Sequence, residues 1–496
     1  MFTRNVCLAL LVFQLAGCGG GTDSGTSVES PPLNPPVVTP EPEDITTGKT
    51  IVRNEHFFVA NDGIHGKELW KTDGSLSGTV MVKDINPDGD SRPSQLIYSN
   101  GYLFFSADDG VTGRELWKSD GTTEGTVLVK DVNLFGNTFV DRDAFIISKN
   151  NNIYFYGTDG VGGYELWKSD GTADGTSIVK ELGPDGTSGL RRYEIFVMGD
   201  FLYFNGYSDI GGCALWKSDG TEIGTTTVKT FFPSIGRTCP SHFTNVGGVL
   251  FFSASDDNYG DELWKSDGTS DGTLMVKDIN QFLSAGSTPR NLVAVNNQLY
   301  FTSNAQDFGH ELWTSDGSEL GTYMVSDIDP GEGSSSPRII VNYDGVLFFI
   351  AKGPSECNTG IWKSNGTSET TQRLSDCLST DRNTLLDDLN GTNGFEIFND
   401  KMYFYGTNGF GDDLWVSDGT EFGTVPVTNF TFNPNFSFAV ASYNANTELL
   451  AFHDNRFLIR IDDGIHGLEL WISDGTESGT KLIKDINPGN ADGFAW

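Results

Sequence analysis

Of the fourteen arginines in the 496-residue sequence, five stand at nearly one distance from a recurring tryptophan, and a histidine joins them. Arg92, Arg142, Arg192, His242, Arg290 and Arg338 follow Trp70, Trp117, Trp167, Trp216, Trp264 and Trp313 by 22, 25, 25, 26, 26 and 25 residues. A guanidinium is planar, permanently charged and forked, so it captures a carboxylate through two parallel hydrogen bonds. Arranged around one mouth of a ring, these groups would form a cationic collar for an acidic glycan or a carboxylated peptide. The competing use is structural. Each cation can pair with an acidic neighbour such as Asp88 or Asp185 and pin adjacent repeats. Pinning is the expected role, with ligand capture held beside it.

Other chemistry is thin. No H-E-x-x-H pair, phosphate-binding loop or dinucleotide-binding glycine run occurs. His65 and His466 occupy matching D-G-I-H-G loops, which reads as similarity between the first and last repeats rather than as a metal site. Carboxylates are so numerous that no glycosidase-like pair can be nominated. Calcium is a possible ligand of the Asp-rich loops at Asp62-Gly63 and Asp256-Asp257, although no twelve-residue EF loop is present. With 32 basic against 67 acidic residues the net charge is −35, which argues against nucleic acid as a partner.

The elements that must position these groups are repeats. E-L-W-K-S-D-G-T or a near variant places tryptophan at Trp70, Trp117, Trp167, Trp216, Trp264, Trp313, Trp362, Trp415 and Trp471. In the second unit, Ser94–Ser99 and Tyr102–Ala107 flank Asn100-Gly101, a tight-hairpin signal. Glu115–Ser119 and Val127–Asp131 follow, separated by Asp120-Gly121-Thr122. Four short strands per unit of about fifty residues, with no helical period, predict an all-β fold: a β-propeller of about nine four-stranded blades spanning 49–496. Eight blades plus an extra unit, and an open β-solenoid, are the alternatives. Leu116 and Trp117 are expected on opposite faces of a covered strand, and Asp120 in an Asx turn whose glycine takes positive φ. The repeat resembles the bacterial E-L-W-x-x-D-G-T family over essentially the whole body, a resemblance that implies β-rich structure and brings little chemistry.

The first residues have another character. After Arg4 comes an apolar run from Val6 to Phe13 and then Leu15-Ala16-Gly17-Cys18, which resembles the lipobox of bacterial lipoproteins. The resemblance implies that residues 1–17 are a signal peptide and that Cys18 becomes a lipidated first residue, leaving a mature charge near −36. Gly19 rather than Asp after the cysteine implies the outer membrane. Residues 18–48, rich in Pro, Gly and Ser, make a tether that reaches roughly 100 Å at ~3.3 Å per residue. Export makes disulfides the default for Cys213, Cys239, Cys357 and Cys377. Of three connectivities, the shortest-loop one, Cys213 with Cys239 and Cys357 with Cys377, keeps each bridge within one repeat.

The seventh unit departs from the pattern at Asn365 and Glu369-Thr370-Thr371, and its disulfide is expected to compensate for weaker turn chemistry. The expectation for function is a non-enzymatic binding or scaffold propeller at the cell envelope, attached to the membrane through its lipid and engaging a protein or an acidic glycan. A carbohydrate-active hydrolase or lyase working at the channel mouth is the alternative.

Overall fold

The computed structural model describes residues 55–139, 145–183, 190–207, 212–231, 239–256, 258–281, 286–354, 359–374, 395–407, 412–427, 451–452 and 456–494. The chain divides into Met1–Gly48 and Lys49–Trp496, and every described residue belongs to the second unit. Among them no helix is long and apolar enough to cross a membrane.

The first blade holds β1 (His56–Asn61), β2 (Lys67–Thr72) and β3 (Val80–Lys83). The second holds β4 (Ser94–Ser99), β5 (Tyr102–Asp108), β6 (Arg114–Ser119) and β7 (Val127–Lys130). Its β4–β5 hairpin turns on Asn100 and Gly101, with φ of 48° and 81°, so both central residues take the left-handed conformation that favours Asn-Gly there. Phe105 pairs with Trp117 across β5 and β6, and a bulge between Leu116 and Trp117 bends the sheet toward β7. Eight sheets have four antiparallel strands in this order, and together with the first they form a nine-bladed β-propeller.

What holds the blades is the alternation of Leu and Trp on the third strand. Leu116 packs into one layer with Phe155 and Trp167 of the third blade, while Trp117 packs into the opposite layer with Leu69 of the first. The same pairing recurs around the molecule and ends with Leu470 of the last blade in one cluster with Trp70 of the first. Each fully buried Leu contributes roughly 1.5–3 kcal/mol. At the outer strand a lysine from one blade reaches the next blade's turn: Lys83 Nζ donates to Thr126 O, Lys130 to Thr176 O and Lys180 to Thr225 O, each at 2.8 Å.

The last clasp closes the ring. Lys484 Nζ donates to Thr79 O at 2.8 Å and lies 5.3 Å from the Trp70 ring centroid. This excludes the open solenoid and the eight-bladed ring with an extra unit. Among the described residues the first blade's sheet has three strands, and β1 also meets the far end of the chain, where Ala60 bridges Phe494 and Asn61 N donates to Gly493 O at 2.8 Å.

The S-D-G-T turn forms as the sequence implies. Asp120 Oδ1 accepts the Thr122 N–H at 3.0 Å and its hydroxyl at 2.6 Å, and Gly121 has φ 86°. Gly125 cannot be replaced cheaply, because a Cβ there would stand 1.9 Å from Asp120 Oδ1. In the seventh blade a short 3-10 turn, Ser368–Thr370, takes over. The Thr370 hydroxyl accepts the N–H groups of Asn365 at 3.1 Å and Thr367 at 3.4 Å, so the turn is completed locally. Cys357 and Cys377, expected to compensate for it, lie outside the described residues.

Candidate functional site

Each blade hands the chain to the next through a lead-in segment on the face that also carries the loops between second and third strands. First strands of adjacent blades lie side by side, so they line the centre of the ring. In the first lead-in, Ser91 N and Arg92 N donate to Lys67 O at 3.1 and 3.0 Å, and Asp90 Oδ1 accepts Lys67 N at 3.0 Å. Arg92 itself is 51% exposed in its side chain, with Nε 3.4 Å from Asp90 Oδ2.

The cations of the expected collar do not share one register. The place of Arg92 is taken by Phe139 in the third blade and by Phe494 in the first, since their N–H groups donate to Arg114 O and Leu468 O. Thr288 and Ser336 take it in the sixth and seventh blades, donating to Asp261 O and His310 O. Arg290 and Arg338 stand two residues further on, paired with Thr302 and Ile350, and so match each other on neighbouring blades. His242 follows Ser241, which pairs with Ser253, and its N–H donates to Glu194 Oε2 at 2.9 Å. Arg192 lies within the strand Leu190–Met198, and Arg142 lies outside the described residues. Near-equal spacing from tryptophan fails to give equal register because the lead-ins differ in length: Arg92, Phe139, Thr288 and Ser336, which share one place, stand 22, 22, 24 and 23 residues after the preceding motif tryptophan.

A second set of groups, which the sequence reading did not single out, organises these lead-ins. The glutamate of the E-L-W motif is buried, and its carboxylate receives the incoming backbone. Glu68 accepts Ile85 N at 2.9 Å, Ser91 N at 3.0 Å and the Ser91 hydroxyl at 2.6 Å. Glu115 accepts Val132 N at 3.1 Å and Thr138 N at 3.2 Å, and Glu311 accepts Ile328 N at 2.9 Å and Ser335 N at 2.8 Å. Burial pushes Glu68, Glu115, Glu311 and Glu469 up to about 7 and Glu262 up to about 8, against the pull of those hydrogen bonds.

Ala214 replaces this glutamate in the fourth blade. There Cys213, next to it, is bonded to Cys239 with Cα atoms 5.5 Å apart, and Asn205 Nδ2 donates to Pro240 O at 2.7 Å. The disulfide therefore does not stay within one blade. It ties the third strand of the fourth blade to the lead-in of the fifth, where the blades that keep the motif glutamate use its carboxylate. The signal was legible in hindsight, since the bridge cysteine stands beside a motif position that lost its acid.

The matched histidines make matched pairs. His65 Nδ1 lies 2.7 Å from Asp62 Oδ2 and His466 Nδ1 lies 2.7 Å from Asp463 Oδ2, and the hydrogen bond to each aspartate raises the histidine pKa. Asp62 Oδ1 and Asp256 Oδ1, offered as calcium ligands, accept backbone N–H groups of their own loops. Among the described residues no three His, Cys, Asp or Glu side chains converge on one point. A cleft of about 400 Å³ opens at the junction of the seventh and eighth blades, lined by Tyr343, Phe348, Lys363, Gln372 and Asp418 among others.

No family model and no curated protein matches the sequence. Solved structures are similar to the chain at low identity. Oligopeptidase B from Leishmania major is 11% identical with a TM-score of 0.43, over 82% of this chain and 49% of that one. A Mycobacterium tuberculosis puromycin-hydrolyzing peptidase is 11% identical with a TM-score of 0.41, over 79% and 52%. Prolyl oligopeptidase B from Galerina marginata is 10% identical with a TM-score of 0.37, over 71% and 52%. The chain spans about half the length of each.

Proposed function

We propose that this chain is an outer-membrane-anchored lipoprotein whose nine-bladed ring acts as a non-enzymatic binding platform for a protein or glycan at the cell envelope. The observation that carries the reading is where the perturbed carboxylates sit. An active site gathers a few unlike groups with shifted ionisation in one place. Here the raised glutamates recur at one motif position in blade after blade, and each is engaged in joining its blade to the next. The anchoring part of the proposal rests on the lipobox-like Leu15–Cys18 and the tether behind it.

Of the expected collar, Arg290 and Arg338 give the best-matched pair for an anionic group. The test is titration of the fragment 49–496 with an oligogalacturonide. Saturable binding that disappears in Arg290→Gln/Arg338→Gln, with the melting temperature nearly unchanged, supports ligand capture at the collar. A large drop in melting temperature with no binding to lose assigns both arginines to pinning the blades. Shortened or unsaturated products would support the hydrolase or lyase reading instead.

A further inference from the structure

We propose that an exposed apolar patch at the junction of the second and third blades, formed by Val111, Leu134, Phe135 and Val161, is the docking point for a protein partner that presents basic and apolar side chains together. The proposal rests on the binding-platform reading and says which face binds and what it binds. The four side chains are 88%, 75%, 82% and 77% exposed, so nearly all of their apolar surface meets water. They come from three consecutive loops that touch one another. Gly113 abuts the Gly136 carbonyl and Asn137, and Gly160 abuts Asn133, closely enough that a Cβ at either glycine would collide.

None of these loops is slack. Asp109 Oδ1 accepts Val111 N at 2.9 Å and Thr112 N at 2.7 Å, and Asp159 Oδ1 accepts Val161 N and Gly162 N at 2.9 Å. Asn133 Oδ1 accepts Phe135 N at 3.1 Å while its Nδ2 donates to Asn137 O at 2.7 Å. The apolar tips are therefore presented in fixed positions, which lowers the entropy lost on binding. Isolated exposed apolar residues are ordinary on a protein surface, but four on three adjoining, hydrogen-bonded loops are not. The patch is also local. The first lead-in carries Pro87 and Asp88 where the second carries Leu134 and Phe135.

Charge chooses the occupant. Asp108, Asp109, Asp131 and Asp159 stand on or at the ends of the same loops, and the backbone N–H groups of Gly162 and Val161 hold Asp159 below the ordinary carboxylate range, so it stays ionised. The cation nearest in sequence, Arg114, is buried and donates to Arg92 O and the Ser106 hydroxyl. An anionic lipid surface is repelled by such a rim. So is a second copy of a chain whose net charge is −35. A protein surface with lysine or arginine beside leucine or phenylalanine satisfies both the patch and its rim.

The experiment measures fluorescence anisotropy of a short amphipathic Lys/Leu peptide against the fragment 49–496, beside a Lys/Ser peptide of equal charge. The Lys/Leu peptide should bind more tightly, and Leu134→Ser/Phe135→Ser should weaken it about tenfold, as for removal of a binding hot spot. Ile223→Ser, on an exposed turn of the opposite face, should leave binding unchanged, and neither variant should shift the melting temperature. Equal binding of the two peptides, no effect of the double substitution, capture by phosphatidylcholine or anionic vesicles, or self-association lost in the double variant would each overturn the proposal. If the patch fails while the fragment still binds an envelope glycan, the platform reading stands without it. Failure of every ligand removes both.

Discussion

Replacing Glu262 by Gln should take one proton out of the pH dependence of the ring's stability. Glu262 is fully buried on the third strand of the fifth blade, where it accepts Ile279 N at 3.1 Å, Ser287 N at 2.9 Å and the Ser287 hydroxyl at 2.5 Å. Burial outweighs those bonds and, with a smaller push from the Asp278 carboxylate, raises its pKa from 4.5 to about 8. A rise of about 3.5 units at about 1.36 kcal/mol each amounts to about 4–5 kcal/mol. Its sign follows from proton counting. Between pH 4.5 and about 8 the folded chain keeps a proton that the unfolded chain has released. The contribution is therefore complete below pH 4.5 and is lost as pH rises through about 8.

Calorimetric melting of the fragment 49–496 and its Glu262→Gln variant, from about pH 4.5 to about pH 8.5, reads this directly. Gln keeps the side chain's shape and an acceptor and has no proton to lose, so its melting temperature should gain on the unmodified protein steadily toward alkaline pH. The comparison cancels the general repulsion of a highly acidic body. A pH-independent gap between the two curves would mean that Glu262 is ionised in the folded ring at neutral pH, and that hydrogen bonding rather than burial sets its charge.

Cys213→Ser should cost about 3.5 kcal/mol of stability by loop entropy for the 26-residue separation, and Ala214→Glu in that background should recover part of it by restoring the carboxylate used elsewhere; chemical denaturation measures both. Leu470→Ala should destabilise the ring by about 2–5 kcal/mol, as much as Leu116→Ala, because both sides of the closing interface are packed. A much smaller cost for Leu470→Ala would indicate that the ends part in solution. Cys18→Ser should move the protein from the membrane fraction to the soluble one, seen by fractionation and by loss of the lipid mass.

The ring was legible because its packing residues carry their own period. Leu and Trp adjacent on one strand must face opposite ways, and eight such pairs with Ile361-Trp362 in the seventh unit required nine layers. The Asn100-Gly101 hairpin and the Asp120 turn were equally plain, since each is determined by residues within a few positions. The rest depended on partners far away in sequence. Glu115 reads as a solvent-facing polar residue in an alternating strand until Val132 and Thr138, 17 and 23 residues later, are seen to donate to it. Phe494 could not be recognised as a partner of the first blade, because nothing near it names Ala60. The collar lost its common register for a similar reason. Lead-ins of different length put Thr288 and Ser336, rather than Arg290 and Arg338, in the place of Arg92, and counting from tryptophan cannot detect that.

The central claim, that the ring binds without turning its ligand over, is tested most directly by recovering a ligand after binding. The fragment 49–496 is saturated with an oligogalacturonide or with the Lys/Leu peptide, held at equilibrium, and the ligand is eluted and weighed by mass spectrometry. The account predicts saturable binding and a ligand recovered at its original mass. Saturable binding with shortened, unsaturated or otherwise altered ligand would contradict it and make the ring an enzyme.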